Sequence, residues 1–240
     1  MTEPLYLKDH YLKEFEAVVT EVLEGYHLVL NKSSFFPQGG GQPNDMGKII
    51  KLTDNKEFNV LNVRKESGKT IHDIDKEGLK TGDKIKGIID WERRYKLMRS
   101  HTAAHILSEV IYKDTNTLIT GNQLDTDKVR IDFSLQDFNK EKMQEYIESA
   151  NKIIEQDLPI IIEFTTREEA LKIPQISKLA IGLPESIKEV RIVKIGSFDT
   201  QADGGTHVNS TKEIGKIEFL KAENKGKNNR RLYFKITKIY

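Results

Sequence analysis

The pattern of apolar residues changes at Trp91, and this change constrains the fold more than any other feature of the chain. Before Trp91, five short segments alternate apolar with polar residues and are separated by Gly and Asp: FEAVVTEVLEG, YHLVLNKSSFFP, GKIIKLTD, KEFNVLNVRKE and DKIKGIID. Many short alternating segments at this spacing predict a small barrel or sandwich of strands. From Trp91, the segment WERRYKLMRSHTAAHILSEVIYKD repeats its apolar residues at helical spacing, so it predicts a long amphipathic helix.

The rest of the chain mixes helices and strands without regular alternation. A second helix is predicted in FNKEKMQEYIESANKIIEQDLP, and its apolar face consists of Met143, Ile147, Ala150 and Ile154. TREEALKI predicts a short helix, and strands are predicted in VRIDFSL, PIIIEFTT, EVRIVKIGSFD, KIEFLKAE and RRLYFKITKIY. The predicted class is therefore α+β: a small β-barrel-like domain over residues 1–88, followed by an α+β domain over residues 89–240.

Composition removes several classes of chemistry. The chain has no cysteine, so disulfides, thiolate nucleophiles and all-sulfur metal sites are excluded, and a metal would need imidazole and carboxylate ligands. There is no G-x-S-x-G turn and no Walker loop. The 38 basic and 37 acidic residues nearly cancel, so binding to a polyanion would depend on local clusters of charge. No signal peptide or membrane span is evident, and we expect a soluble, cytoplasmic protein.

Two separate segments carry candidate metal ligands. His101 and His105 are four residues apart on the first predicted helix, which places both imidazoles on one face, although a hydrogen-bonded structural pair has the same spacing. Asp203 and His207 flank a Gly-Gly pair that allows both side chains to turn toward one point, although an ordinary hairpin turn is the alternative. Together they form a candidate zinc set, with Asp203 either a ligand or held back to leave an open position. His10, His27 and His72 have no partner at ligand spacing and are interpreted as structural or exposed.

Motifs spread over nearly the whole chain resemble one family. HTAAHIL after a basic WERRYKLMRS, the middle segments VRIDFSL and TREEALKI, and DGGTHVNSTKEIG resemble the editing domain of alanyl-tRNA synthetases and its free-standing relatives, the AlaX proteins. LNKSSFFPQGGGQPNDMG is similar to the glycine-rich segment of the medium-length AlaX proteins. The family often has Cys where Asp203 stands, which leaves the fourth ligand open between Asp203 and a water that Asp203 holds.

The resemblance implies a function and a fold of the threonyl/alanyl-tRNA synthetase editing type. The implied reaction is ATP-independent, zinc-assisted hydrolysis that removes serine, and also glycine, from mischarged tRNA(Ala). This fits the physical limits of discrimination, because a pocket built for alanine excludes neither glycine nor a side chain that only adds a hydroxyl. The alternatives are an editing domain of threonyl specificity, which is not expected to carry the glycine-rich segment, and a tRNA-binding module that lost the metal. The oligomeric state, monomer or dimer, does not follow from the sequence.

The resemblance also assigns residues. His101, His105 and His207 would be catalytic and, with Asp203, would hold the metal. The substrate pocket would include Ser33, at the position of a family Thr, and Gln42, Gly40, Gly41 and Thr206. Basic residues before the histidines and in the C-terminal segment are candidates for tRNA contacts, although each is equally suited to a solvated surface: Arg93, Arg94, Arg99, Arg230 and Arg231.

Overall fold

A computed structural model of the chain describes residues 2–135, 140–174, 176, 188–226 and 229–237. The chain divides into two compact units, Met1–Leu97 and Met98–Tyr240. The predicted domain limit between residues 88 and 89 falls at the end of a strand, whereas the division of the structure falls inside the helix that follows. Over the described ranges, no helix is both long and apolar enough to cross a membrane.

The first unit contains a closed six-stranded barrel, as its short alternating segments predict. A two-residue strand, β1 (Glu3–Pro4), pairs in parallel with β4 (Lys32–Ser33) outside the barrel. The barrel order is β2-β3-β7-β6-β5-β8. Its strands are β2 (Glu14–Leu23), β3 (His27–Leu30), β5 (Gly47–Lys51), β6 (Glu57–Glu66), β7 (Lys69–Ile74) and β8 (Lys84–Ile89).

Alternation along the strands fills the barrel interior. In β6, Phe58 and Val60 point inward, and the register then shifts at a bulge between Val60 and Asn62, so that Val63 is buried while Leu61 is exposed. The core of the unit is formed by buried residues of all six strands and of the segments that join them: Phe15, Ala17, Val19, Leu28, Leu30, Phe35, Ile49, Phe58, Val60, Val63, Ile74, Leu79, Ile85 and Ile89.

The long predicted helix is α1 (Trp91–Thr115). Asp90 caps its first turn, because the carboxylate of Asp90 accepts a hydrogen bond from the backbone N–H of Arg93 at 3.1 Å. The division between the two units lies within this helix.

Over its described residues, the second unit contains two antiparallel sheets. One has the order β14-β15-β10-β9 and the other the order β11-β12-β13. The strands are β9 (Ile119–Gln123), β10 (Val129–Phe133), β11 (Ile160–Thr166), β12 (Glu189–Ile195), β13 (Asp199–Ala202), β14 (Lys216–Asn224) and β15 (Arg230–Thr237). The chain is therefore mostly sheet with few helices.

In the described part of this unit, helices α2 and α3 accompany these sheets. Helix α2 (Lys140–Ile154) buries the predicted face of Met143, Ile147, Ala150 and Ile154. Its Asn151 side chain exchanges two hydrogen bonds with the backbone of Ile217 in β14, at 2.8 and 2.9 Å. Thr166, the last residue of β11, caps helix α3 (Arg167–Leu171), because its hydroxyl accepts a hydrogen bond from the N–H of Glu169.

The segment EVRIVKIGSFD differs from its prediction as one strand. It forms β12 and then turns back into β13, which pairs with it antiparallel. Gly196 adopts a φ of +50°, and the N–H of Phe198 donates to the carbonyl of Ile195 at 2.8 Å. The left-handed conformation at Gly196 permits this reversal. Asp199 consequently opens a new strand instead of ending the preceding one.

Candidate metal centre

Helix α1 places its two histidines one turn apart on the same face. The ring centroids of His101 and His105 are 4.9 Å apart, and both residues are buried, with 3% and 8% exposure. The neighbouring helix positions Ala103, Ala104, Ile106 and Leu107 are also buried. The two imidazoles are thus fixed by the packing around the helix, as their spacing predicts.

The segment after β13 supplies the other two candidate ligands. The N–H of Gly205 donates to Asp203 Oδ1 at 2.7 Å, which closes a tight local turn around the carboxylate. His207 lies beyond this turn and is fully buried. Arg99 of α1 fastens the downstream end of the segment, because its guanidinium donates to the carbonyl of Ile214 at 2.6 and 3.0 Å. The turn and this anchor place Asp203 and His207 against α1.

The two segments converge on one point. The His207 ring lies 4.4 Å from that of His101 and 4.9 Å from that of His105, measured between centroids. The Nε2 atoms of all three rings face the carboxylate of Asp203, at 3.6 Å for His101, 3.9 Å for His105 and 3.0 Å for His207. One ligand atom from each of the four residues lies within 4.8 Å of the others, so the group can hold a metal ion.

These separations fit a tetrahedral cation. Imidazole and carboxylate ligands sit about 2.0–2.2 Å from zinc, so two ligands of a tetrahedral site are about 3.4 Å apart. The nitrogen–oxygen distances of 3.0–3.9 Å bracket this value. At 3.0 Å, moreover, the lone pair of an imidazole and a carboxylate oxygen face each other, an arrangement that needs a proton or a cation between them.

The electrostatics of three members of the cluster, His101, Asp203 and His207, also suit a cation. Burial lowers the pKa of His101 to about 4. The pKa of His207 lies well below its usual range, because His207 is buried and because His101 is close to it. Burial alone would raise the pKa of Asp203, but the surrounding imidazoles outweigh it and the pKa lies well below the ordinary value. Near neutral pH, these three groups are therefore in the protonation states that metal ligands require.

Each imidazole has a different partner on the side away from the cluster, and two of these partners were not anticipated from the sequence. His101 has a hydrogen bond with the backbone of Thr206. Thr206 is one of the predicted substrate-binding residues, and it is fully buried. His207 Nδ1 lies 3.1 Å from the hydroxyl of Thr102, which itself donates to the carbonyl of Met98. This hydroxyl must accept from His207, so the proton is on Nδ1 and Nε2 is left as a ligand. His105 Nδ1 faces Asp199, at 3.5 Å.

The sequence contains only weak signals for Thr102 and Asp199. Thr102 adjoins His101 in HTAAH, and Asp199 lies four residues before Asp203. Neither relation is distinctive without the fold.

The glycine-rich segment of the first unit forms a two-residue turn. Gly39 and Gln42 exchange backbone hydrogen bonds at 2.9 and 3.1 Å, and between them Gly40 and Gly41 have φ values of +59° and +84°. Two consecutive left-handed residues define a type I′ turn, which explains the need for glycine at both positions. Gly40 and Gly41 are exposed, whereas Gln42 is buried.

Ser33 belongs to a buried polar chain in the same unit. Its hydroxyl lies 2.8 Å from His72 Nε2, and His72 Nδ1 lies 3.2 Å from the carbonyl of Leu28. Because a carbonyl only accepts, the proton of His72 is on Nδ1, and the hydroxyl of Ser33 donates to Nε2. The N–H of Phe35 donates to Ser33 Oγ at 3.1 Å. One lone pair of Ser33 Oγ therefore remains free to accept from a further donor. His72, which the sequence left without a partner, is thus the hydrogen-bond partner of Ser33.

The five arginines predicted to contact tRNA all donate to protein acceptors. Arg94 is fully buried and forms an ion pair with Asp45, and Arg99 is anchored to Ile214 as described above. Arg230 is buried against Asn224 and Gly226, Arg231 binds both oxygens of Asp132, and Arg93 donates to the carbonyl of Asn44. Of the five, Arg93 and Arg231 are only partly buried.

Comparison with known proteins defines the class. Residues 190–233 match the family model described as the threonyl and alanyl tRNA synthetase second additional domain, and this range contains both Asp203 and His207. Residues 6–93, which contain the barrel, match the family of class II (A) tRNA synthetases. The barrel and the histidine cluster thus occur in a chain of the tRNA synthetase-related class.

Full-length relatives narrow this class to one family. The chain is 49% identical over 239 residues to the alanyl-tRNA editing protein AlaX-M of Methanosarcina barkeri, covering 98% of each protein. It is 45% identical to that of Saccharolobus solfataricus, covering 98% of this chain and 99% of the relative. It is 36% identical to the alanine–tRNA ligase of Pyrococcus abyssi, covering 92% of this chain and 24% of the ligase. The chain belongs to the AlaX-M family of alanyl-tRNA editing proteins.

Proposed function

We propose that this protein is a trans-editing deacylase that hydrolyses the ester between serine and tRNA(Ala), with glycine as a second substrate, and that it uses zinc. The observation that carries the proposal is the convergence of His101, His105, His207 and Asp203 on one point in a chain of the AlaX-M family. We further propose that this takes place in the cytoplasm. We also propose that residues 1–88 and residues 89–240 form the two functional domains.

Zinc fits the donor set better than copper(I) or magnesium does. Imidazole is a ligand that zinc commonly uses, and carboxylate is another. Among the described residues, the cluster contains neither the sulfur ligands that copper(I) prefers nor the all-oxygen set that magnesium prefers. When bound, zinc supplies Lewis acidity that polarises the ester carbonyl or lowers the pKa of an attacking water. A carboxylate oxygen at Asp203 would donate less electron density to zinc than a thiolate, and would therefore leave the metal more Lewis acidic.

The protein residues orient the metal ligands. His101 and His105 are fixed by helix packing, and Thr102 holds the ring of His207 in the tautomer that presents Nε2. Arg191 donates to the backbone carbonyl of Asp203 and thereby secures the turn that carries the carboxylate. Rigid placement of this kind is what a pre-organised catalytic site requires.

Ser33 is proposed to recognise the serine side chain. Because the Ser33 hydroxyl already donates to His72 and accepts from Phe35, the free lone pair can only accept. A seryl ester supplies the matching O–H, whereas an alanyl ester leaves this second acceptor position of Ser33 unused. This asymmetry supports hydrolysis of the seryl ester and sparing of the alanyl ester. We also propose that Gly40, Gly41 and Gln42 in the first unit and Thr206 in the second unit are substrate-binding residues.

We propose that Arg93 and Arg231 contact tRNA. Arg94, Arg99 and Arg230 are proposed instead to stabilise the folded units in which they lie. The three are buried and bonded internally, so exchanging these bonds for phosphate contacts would leave protein acceptors unsatisfied.

The test combines metal content with ester hydrolysis. The purified protein is incubated with seryl-, glycyl- and alanyl-tRNA(Ala), and ester loss is followed over time. We expect about one zinc per chain, loss of the seryl ester and persistence of the alanyl ester. His101→Ala and His207→Ala should abolish both zinc retention and turnover. His27→Ala is the matched control, because His27 is outside the cluster and pairs with Asp73.

Other outcomes separate the alternatives. A chain that binds tRNA(Ala) but retains no metal and cleaves none of the esters would be a tRNA-binding module. Preferential cleavage of seryl-tRNA(Thr) would indicate threonyl-type editing. Normal turnover by both cluster variants would refute the site.

A matched pair of variants tests Ser33. Ser33→Ala should lower seryl-ester hydrolysis about 5- to 10-fold, as expected for loss of a hydrogen bond of about 1 kcal/mol, without changing hydrolysis of the glycyl ester. Ser33→Thr keeps the hydroxyl and should retain the preference. Equal losses on both esters would contradict recognition of the serine hydroxyl.

A further inference from the structure

Asp199 is a buried carboxylate beside the cluster. It is the first residue of β13, placed there by the turn at Gly196–Phe198, and it is 3% exposed. Its Oδ2 accepts a hydrogen bond from the side chain of Gln201 at 2.9 Å and lies 3.5 Å from His105 Nδ1. Gln201 therefore holds the carboxylate toward the imidazole.

This placement leaves two polar atoms unsatisfied. Among the residues that the structure describes, neither Asp199 Oδ1 nor His105 Nδ1 has a hydrogen-bond partner, and 3.5 Å exceeds an ordinary hydrogen bond by about half an ångström. A buried carboxylate is costly unless it is paired. A small movement of the ring toward Asp199 would join the two groups, so the arrangement favours a partnership between them.

We infer that Asp199 is a positioning residue for the metal ligand His105. By accepting the Nδ1–H of His105, Asp199 fixes the tautomer whose Nε2 lone pair faces Asp203, 3.9 Å away. Carboxylate, imidazole and metal in line form a common supporting arrangement in metalloproteins, because the carboxylate orients the ring and increases its basicity. This inference rests on the proposed function, since it requires the cluster to hold a metal.

The charge around the cluster gives Asp199 a second effect. Arg191 lies 4.0 Å from Asp203 Oδ1, and its positive charge opposes a cation at the site. The other two imidazoles have neutral partners, a hydroxyl for His207 and a backbone group for His101. Asp199 is a buried carboxylate whose negative charge would offset this positive charge without occupying a ligand position.

The test measures zinc affinity in the full-length protein by competition with a chromophoric chelator. Asp199→Ala should lower the affinity about 10- to 100-fold, the range typical for loss of such a partner. Asp199→Asn keeps an oxygen acceptor and should lose less than about 10-fold, provided that its carbonyl faces His105. With Co²⁺ in place of zinc, the visible ligand-field bands should change in Asp199→Ala and be largely restored in Asp199→Asn.

Controls distinguish positioning from folding. Asp132→Asn removes another buried carboxylate of the same unit, one that pairs with Arg231, and it should keep zinc affinity within about twofold of the parent protein. Unfolding with chelator present reports the metal-free stability of each variant. If Asp199→Ala binds zinc within about twofold of the parent, the inference about Asp199 is wrong while the proposed function stands. If the parent protein binds no zinc, both fail.

Discussion

Replacement of Arg94 by Met should destabilise the barrel unit strongly. All three guanidinium nitrogens of Arg94 donate inside the unit: Nε to both oxygens of Asp45 at 2.9 and 3.0 Å, Nη1 to the carbonyl of His10, and Nη2 to Ser34 and Asp45. Asp45 in turn accepts from the N–H of Phe36 at 2.6 Å. The Arg94–Asp45 pair thereby connects the start of α1 to the residues before and after the glycines of this segment, Ser34 and Asp45.

The expected magnitude follows from burial. The side chains of Arg94 and Asp45 are 0% and 1% exposed, so Arg94→Met leaves a carboxylate uncompensated in the interior. Breaking a pair of this kind typically costs about 3–5 kcal/mol. The double variant Arg94→Met/Asp45→Asn removes both charges and should lose less stability than the sum of the two single variants.

The assay uses the one tryptophan of the chain, Trp91, which contacts Tyr11 and Lys13 of the same unit. Its fluorescence during urea unfolding therefore reports on the packing of the barrel unit around Trp91. Lys48→Met is the control, since the Lys48–Glu57 pair is about half exposed and should contribute less than about 1 kcal/mol. A loss of less than about 1 kcal/mol in Arg94→Met, as small as the control, would refute the structural role of the pair.

Three further predictions use the same assays. Burial lowers the pKa of His72 to about 4, so the folded ring stays neutral while the unfolded ring takes up a proton below about pH 6.5. Stability should therefore fall as the pH drops from about 6.5 to 4, by up to about 3 kcal/mol, and His72→Gln should flatten this dependence in urea titrations at several pH values. Thr102→Val should weaken zinc binding about 10-fold in the chelator assay, and Thr102→Ser should restore it. Gly40→Ala should lower the free energy of unfolding, followed by Trp91 fluorescence, by about 1–2 kcal/mol, because φ at Gly40 is +59°. Gly39→Ala should have little effect, and equal losses in the two variants would contradict this explanation.

The local periodicity of the sequence was sufficient for much of the fold. The barrel strands follow from apolar alternation, and the buried face of α2 follows from Met143, Ile147, Ala150 and Ile154. The spacing of His101 and His105 also predicts their common face, because a helix fixes the geometry of residues four apart.

Contacts between distant residues were not predictable in this way. Arg94 lies among charged helix residues, and nothing local indicates that its partner is Asp45, 49 positions earlier. His72 had no apparent partner in the sequence because Ser33 is 39 residues away. Asp199 was assigned to the end of one strand, and only the reversal at Gly196 brings it to His105. Long-range pairing of buried polar groups depends on topology, which periodicity does not encode.

The ligand cluster consists only of nitrogen and oxygen donors, in a chain without cysteine. Peroxide and thiol-alkylating reagents inactivate metal sites by attacking thiolate ligands, and this site offers them none. Metal retention and ester hydrolysis should therefore withstand oxidative stress that strips zinc from a sulfur-ligated centre.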